Sequence, residues 1–427
     1  MAKNSSSMGN ILFRIFWWVV QHVNLNWAHK LMYMGLRDGA FPRQRVNEPQ
    51  LQNTLWGHLF PSPFGVGEGV DTQGNVIDEL IYTGFSFGEF GPYTLEKEMP
   101  DTKTLFFSKQ KAMLIQSLGY RNPGILKVLP GLVKRRYLPH YVGIDLAIPA
   151  ESEEQNIKQG RHFSYEDEFV LMSQKVAPYC DYIVLNLSHP EAELATLIVD
   201  KATISPIVKS VKDAVRLAAP IQTPPIWVKI PLDINLQEIP LVVQSLMEAG
   251  ADGVVVAGPL AINRHTNLHL SDKEEYQMGM LSGEPVREKV LELIRHIYRQ
   301  SQGKLPIISC GGVFTPEDAF KNLSAGASLI QVDEAAMLFN SPSIVFNLQK
   351  GLVKLMTEKG YPTMDKLIGA DFRIGQVAQQ PFAQQPVPSQ TPVQENVSSA
   401  PVSASVSTPV PGAVEQNKNP TPNQSNY

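Results

Sequence analysis

Cysteine is almost missing from this chain. Among 427 residues there are two, Cys180 and Cys310, each in an apolar stretch. Thiols so placed read as buried and free rather than as a disulfide or a metal site, so no metal is expected. Long apolar runs are missing too. The strongest near the start, residues 11–20, is short and contains Arg14, whereas a bilayer-spanning helix needs roughly 20 apolar residues. No convincing small-residue cleavage site makes it a signal peptide. There is no basic surplus: 37 Lys and Arg against 41 Asp and Glu give a net charge of −4, which argues against a nucleic-acid partner. A Gly-x-Gly-x-x-Gly turn opening a helix is also lacking. Gly65-Val66-Gly67-Glu68-Gly69 is glycine-rich, but its spacing is wrong for a dinucleotide. What remains, 43% hydrophobic and 18% charged, is enough for a large core, in one barrel with extensions or in two smaller domains.

Three regions differ in composition. Residues 1–40 hold two short amphipathic segments with Trp17, Trp18 and Trp27 beside Lys3, Arg14 and Lys30. Tryptophans suit a headgroup boundary and the cations suit anionic lipid, so the pair reads as helices lying in a membrane interface. The other reading is a helical pair packed on the protein's own core. Residues 374–427 are rich in Pro, Gln, Ser, Val and Asn, with Glu395, Glu415 and Lys418 their only charges. Such a segment buries too little apolar surface to offset chain entropy and is expected to be a disordered tail, passive or binding a protein partner.

Residues 41–373 form the expected folded body. Apolar runs recur at 64–70, 85–91, 141–147, 182–188, 226–232, 253–258, 306–312 and 328–333. Helix-like stretches lie between many of them, such as 236–249 and 285–299. Thr315-Pro316-Glu317-Asp318 reads as a helix start, with an N-cap, proline at the first position and acids in the first turn. Near-continuous apolar strands alternating with helices imply a parallel sheet buried on both faces. Eight of them imply a closed (β/α)8 TIM barrel, with a doubly wound open sheet as the alternative.

In such a barrel chemistry sits at the carboxyl ends of the strands, and phosphate commonly binds after the last two. Cys310-Gly311-Gly312 ends the seventh strand, and Ala325-Gly326-Ala327 precedes the eighth. Paired glycines let backbone approach a phosphate, or make ordinary tight turns. Other strand-end residues are Glu68, Asp71, Asp145, Asn186 with His189, Lys229 and Gly258. Lys229 follows Ile226-Trp227-Val228 inside an apolar strand. A lysine there is costly without a partner, so a functional role is expected of it, such as contacting an anionic cofactor.

Several segments carry a resemblance. They are Gly69-Val70-Asp71-Thr72-Gln73-Gly74-Asn75, Leu118-Gly119-Tyr120-Arg121-Asn122, Val184-Leu185-Asn186-Leu187-Ser188-His189-Pro190 and Trp227-Val228-Lys229-Ile230. Leu281-Ser282-Gly283-Glu284-Pro285, Leu305-Pro306-Ile307-Ile308, Cys310-Gly311-Gly312-Val313 and Ala325-Gly326-Ala327-Ser328-Leu329-Ile330-Gln331 follow in order. Over residues 10–360 the chain resembles class 2 dihydroorotate dehydrogenases, the quinone-dependent, membrane-associated kind. The resemblance implies FMN at the strand ends, oxidation of dihydroorotate to orotate in pyrimidine biosynthesis, a quinone as electron acceptor and a peripheral place at the membrane, on the cytoplasmic side in a bacterium. It implies flavin contacts from Gly69, Asn186, Lys229, Ser282, Gly283, Gly311 and Gly312, with Lys229 near the pyrimidine end of the ring.

The same comparison exposes departures. The family's base serine is His189 here, and the asparagine two residues on is Glu191. A lysine is replaced by Thr72, an asparagine by Gln116, and a Thr-Asn-Thr by Ala257-Gly258-Pro259. A flavin-contacting asparagine is Asp145, an alanine beside the flavin is Glu68, and a Tyr-Thr next to the phosphate is Asp333-Glu334. Orotate is an anion whose site should offer a cation and amide donors. This pocket loses donors and gains carboxylates. The expectation is a family fold whose dihydroorotate turnover is lost. The alternatives are a catalytically inactive binding or scaffold protein at the membrane, and an FMN oxidoreductase for another small substrate, with His189 and Glu191 as a base pair.

Overall fold

The computed structural model describes residues 25–44, 48–98, 104–108, 112–117, 119–135, 141–149, 163–188, 197–256, 260–261, 279–340 and 343–375, with residues 15, 18, 19, 22 and 195. Eight parallel strands close a barrel: β1 (Phe64–Val66), β2 (Phe87–Tyr93), β3 (Tyr141–Ala147), β4 (Tyr182–Asn186), β5 (Ile226–Ile230), β6 (Gly253–Val256), β7 (Ile307–Cys310) and β8 (Leu329–Val332). Each pairs with its neighbours in chain order, and β8 returns to β1. All eight apolar runs read from the sequence are these strands, and the open-sheet alternative falls away.

The period of two within a strand decides what fills the barrel. Phe87, Tyr141, Tyr182, Val184, Trp227, Val255, Ile308, Cys310 and Leu329 form one buried interior cluster. Glycines opposite the rings make the space. A Cβ on Gly143 would stand 2.0 Å from the Tyr182 ring, and one on Gly253 would stand 2.4 Å from Trp227. A hairpin, Asn53–Leu55 with His58–Phe60, adds Phe60 to the cluster. Two residues further along the same alternation, the inward positions turn polar: Glu89 on β2, Asp145 on β3, Asn186 on β4, Lys229 on β5 and Gln331 on β8, all buried. An aromatic floor therefore lies under a polar layer at the carboxyl ends.

Helices surround the strands, among them Tyr165–Val176, Lys201–Ala218, Ile239–Ala249, Arg287–Ser301, Pro316–Ser324 and Ile344–Glu358. The expected starts at 236 and 285 move inward to Ile239 and Arg287, the latter behind a 3-10 turn, Glu284–Val286. The Thr315 N-cap is present as a full capping box with Asp318. A four-stranded antiparallel sheet, pairing Leu260–Ala261, Gly279–Gly283, Met113–Ser117 and Thr104–Ser108 in that order, brings Gln116, Ser282 and Gly283 together.

Helix α1 (Leu25–Arg37) buries Ala28, Met32 and Leu36, a spacing that puts them on one face, while Trp27 and Met34 are exposed. Trp18, Ile15 and Val19 are exposed as well. The packed reading thus holds for one face of α1. No described helix is long and apolar enough to cross a membrane. Trp17, Arg14 and Lys3 lie outside the described residues, as does the expected tail beyond residue 375. Both cysteines are free. Cys310 is buried on β7, but Cys180 is only half-buried, because it lies in the turn before β4 rather than within the strand.

Candidate active site

Lys229 is the centre of the polar layer. Its ammonium is wholly buried and paired with three carboxylates: Glu68 at 3.0 Å, Glu89 and Asp145. Those carboxylates lie close enough together to surround a cation, and the cation they surround is the lysine. Burial alone would depress the Lys229 pKa. The charges of Asp145, then Glu68 and Glu89, outweigh it and hold the group well above the usual lysine range. Burial pushes Asp145 well above the ordinary carboxylate range; Lys229 opposes that, and Glu68 and Glu89 add to it. An uncharged partner is Gln331, whose amide donates to Glu89 at 2.7 Å.

Asn186 closes the network. Its side-chain amide donates to Glu68 at 3.1 Å and to Asp145 at 3.0 and 3.1 Å. Its carbonyl oxygen accepts from the Ser188 amide at 3.0 Å and hydroxyl at 2.7 Å, and from Tyr120 at 3.4 Å. Both donor hydrogens and both lone pairs of this asparagine have protein partners.

The second end of the site lies after β7 and β8. Gly283, Gly311 and Gly312 all have positive φ, at 97°, 104° and 74°. Side chains do not fit at two of them: a Cβ on Gly283 would lie 2.1 Å from the Ala112 carbonyl, and one on Gly312 2.7 Å from Arg287 Cα. Asp333 is buried beside them. Its Oδ1 accepts from the Ala336 amide at 2.8 Å, while Oδ2 has no partner of hydrogen-bonding geometry. Burial raises the Asp333 pKa, against the amides of Ala336, Gly312 and Gly283. Glu334, also buried, accepts from Gln116 at 3.1 Å. The nearby cation, Arg287, is engaged elsewhere, with the Gly312 carbonyl, Glu284 and Asp318.

The structure thus joins Asp145, Asn186 and Lys229 in one cluster, and Gln116, Gly283, Gly311, Gly312, Asp333 and Glu334 belong to its second end. Gly69 has a φ of 83° and open space where a side chain would be. Thr72 is half-buried in the turn after β1, where Asp71 accepts from the amides of Gln73, Asn75 and Val76. Asp71 is thereby a turn-former rather than a group free for chemistry. His189, Glu191 and Gly258 lie outside the described residues. Glu89, Gln331 and Tyr120 were not singled out from the sequence, although Glu89 carried the signal that marked Lys229, a charge inside an apolar strand.

The family model for dihydroorotate dehydrogenase matches residues 50–356. The chain belongs to the dihydroorotate dehydrogenase family. A dihydroorotate dehydrogenase (quinone) from Rhodospirillum rubrum is 28% identical, over 84% of this chain and 95% of the relative. One from Azorhizobium caulinodans is 28% identical, over 81% and 95%. These relatives put the chain in class 2. A crystal structure of an Eimeria tenella dihydroorotate dehydrogenase in complex with ferulenol has the same fold, with a TM-score of 0.72 and 22% identity over 82% of this chain and 96% of that one.

Members of this quinone class depend on FMN and pass electrons to quinone. Tested against the described residues, the backbone suits such a cofactor and the side chains do not. The glycine turns at 69, 283, 311 and 312 leave the close approach that a flavin phosphate and ring require. The cation of the described layer, however, donates to Glu89 and Asp145 and is paired with Glu68, which adds negative charge beside it.

Proposed function

We propose that this chain is a dihydroorotate dehydrogenase-family barrel that no longer turns over dihydroorotate and acts as a binding protein at a membrane surface. One observation carries the reading. The ammonium of Lys229 and the amide of Asn186, donors that an anionic cofactor ring and an anionic substrate need, are both committed to carboxylates of the chain itself. An incoming orotate would have to displace Glu68 or Asp145 from the buried Asn186 amide while bringing its own charge. Like charges at close range in such a place cost several kcal/mol.

In this reading Thr72 and Asn186 line the substrate end, with Gln116 held by Glu334, while His189, at the family's base position in the sequence, Glu191 and Gly258 lie outside the described residues. Gly69, Asp145, Lys229, Ser282, Gly283, Gly311, Gly312, Asp333 and Glu334 line the cofactor end. The surplus of acid favours neutral or cationic guests over anions. The membrane half of the reading is supported by α1, which buries one face and leaves Trp27 exposed with Lys30 5.1 Å over its ring, together with exposed Trp18, Ile15 and Val19. A peripheral attachment, on the cytoplasmic side in a bacterium, is what the resemblance implies.

The test is dye reduction by the purified full chain, with dihydroorotate as the electron donor, a short-chain quinone as mediator and added FMN. Rates at the level of a no-enzyme control are expected. Turnover of about 1 s⁻¹ or more, an ordinary enzymatic rate, would mean that the cluster opens for substrate and that the reading is wrong.

A further inference from the structure

The glycine-lined end of the site raises a separate question, because its nearby cation, Arg287, is already paired and two buried acids, Asp333 and Glu334, stand there among the described residues. Phosphate in (β/α)8 barrels binds after the last two strands, to backbone N–H groups exposed by tight turns. Here those turns are Gly311-Gly312 after β7 and the segment after β8, with Gly283 beside them, all three glycines at positive φ. The first residue after β8 is Asp333, 8% exposed. Its Oδ1 is fixed by the Ala336 amide. Its Oδ2 is turned to the glycine turn, 3.8 Å from where a side chain on Gly311 would begin, without a hydrogen-bond partner.

We propose that Asp333 is an internal anion standing in the barrel's phosphate position, so that a phosphate group and the Asp333 carboxylate exclude one another. Three observations bear on this besides position. The backbone amides of Gly312 and Gly283, donors of the kind a phosphate would use, lower the pKa of the Asp333 carboxyl against its burial without giving Oδ2 a partner of hydrogen-bonding geometry. Arg287, the cation best placed to help a phosphate, holds the Gly312 carbonyl, Glu284 and Asp318 instead. Glu334, next in sequence, is a second buried acid, tied to Gln116. A divalent anion entering this place would meet two carboxylates and no free cation among the described residues. The glycine geometry itself is intact, so the site is latent rather than destroyed, and a single side chain closes it.

This inference goes beyond the loss of dihydroorotate turnover and does not use the Lys229 cluster, so either can fail alone. The probe is inorganic phosphate, read as the shift in melting temperature of the full chain relative to chloride at equal ionic strength. Asp333→Ser removes the carboxylate while keeping an oxygen for the Ala336 amide. Phosphate at about 100 times its dissociation constant is expected to raise the melting temperature of this variant by about 2 °C or more and to leave the natural chain unmoved. If Asp333→Ser does not fold, the near-isosteric Asp333→Asn is read in the same way. Equal shifts in the natural chain and the variant would overturn the proposal, as would no shift in either. So would a natural chain that purifies with stoichiometric FMN, since its phosphate would then share the place with Asp333.

Discussion

Lys229 illustrates how much of this site rests on single side chains. A buried ammonium is tolerated because three carboxylates face it, and they are tolerated because it faces them. Removing one partner from such a group costs far more than the pair contributes, since uncompensated charge stays buried. Lys229→Met is therefore expected to lower unfolding free energy by about 3–5 kcal/mol at neutral pH, measured by urea denaturation. Part of the loss should return in acid, where the orphaned carboxyls take up protons. A change within error at neutral pH would show that the cluster is not held by its cation. Glu68 is the least buried member, 11% exposed, so Glu68→Gln should cost less than Lys229→Met.

Buried acids also fix the sign of the pH dependence. Burial raises the pKa of Asp71, Asp145, Asp181 and Asp333 above 3.8. These groups hold protons more tightly in the folded chain than in the unfolded one. Folding then takes up protons, and their contribution to stability falls as pH rises from 3.8 through the raised values. Lys229 acts at the other end: its contribution is complete below 10.5 and is lost as pH climbs through its higher folded value. Asp333→Asn removes one of the acids, so its melting temperature should fall less steeply than that of the natural chain between about pH 4 and pH 7. Parallel curves would contradict the account of Asp333.

At the scale of elements, the strands act as rulers. A period of two places Phe87 and Glu89, Trp227 and Lys229, and Leu329 and Gln331 in successive layers of one interior. The floor tolerates no added volume where a glycine meets a ring. Gly143→Ala would put a methyl 2.0 Å from Tyr182, and it should destabilise the barrel by about 1–3 kcal/mol, as overpacked cores do. Calorimetric unfolding checks this, and an unchanged midpoint would mean that the ring has room to move.

These eight strands were legible in the sequence because each is a local apolar run bounded by glycine or polar residues. The cap at Thr315 was legible for the same reason, as its signal lies within four residues. The antiparallel sheet was not legible. Met113–Ser117 pairs with Gly279–Gly283, and neither segment announces a partner so distant in the chain. Site chemistry was legible only in part. The acids at 68 and 145 could be read as replacements, but their closure onto Lys229 depends on two strands and a turn meeting in space. Glu89 and Gln331 were missed although each interrupts an apolar run, since nothing in the run itself says which side chains face inward.

For the whole molecule, the barrel and its proposed attachment to a membrane form one account. Helix α1 buries Ala28, Met32 and Leu36 and leaves Trp27 and Met34 outside, so it both packs and presents an apolar rim. Deleting residues 1–40 should move the protein from sedimenting anionic vesicles to the supernatant. Equal sedimentation with and without those residues would remove the membrane half of the proposal. The barrel meanwhile keeps its family's architecture, with the Lys229 ammonium and the Asn186 amide of its polar layer committed to the chain's own carboxylates. That central claim is tested most directly by isothermal titration of orotate into the purified full chain near neutral pH. No binding heat is predicted for the natural protein, because Lys229 and the Asn186 amide already have carboxylate acceptors. Saturable binding of orotate with a dissociation constant of about 10 μM or tighter, some 7 kcal/mol of affinity, would contradict it.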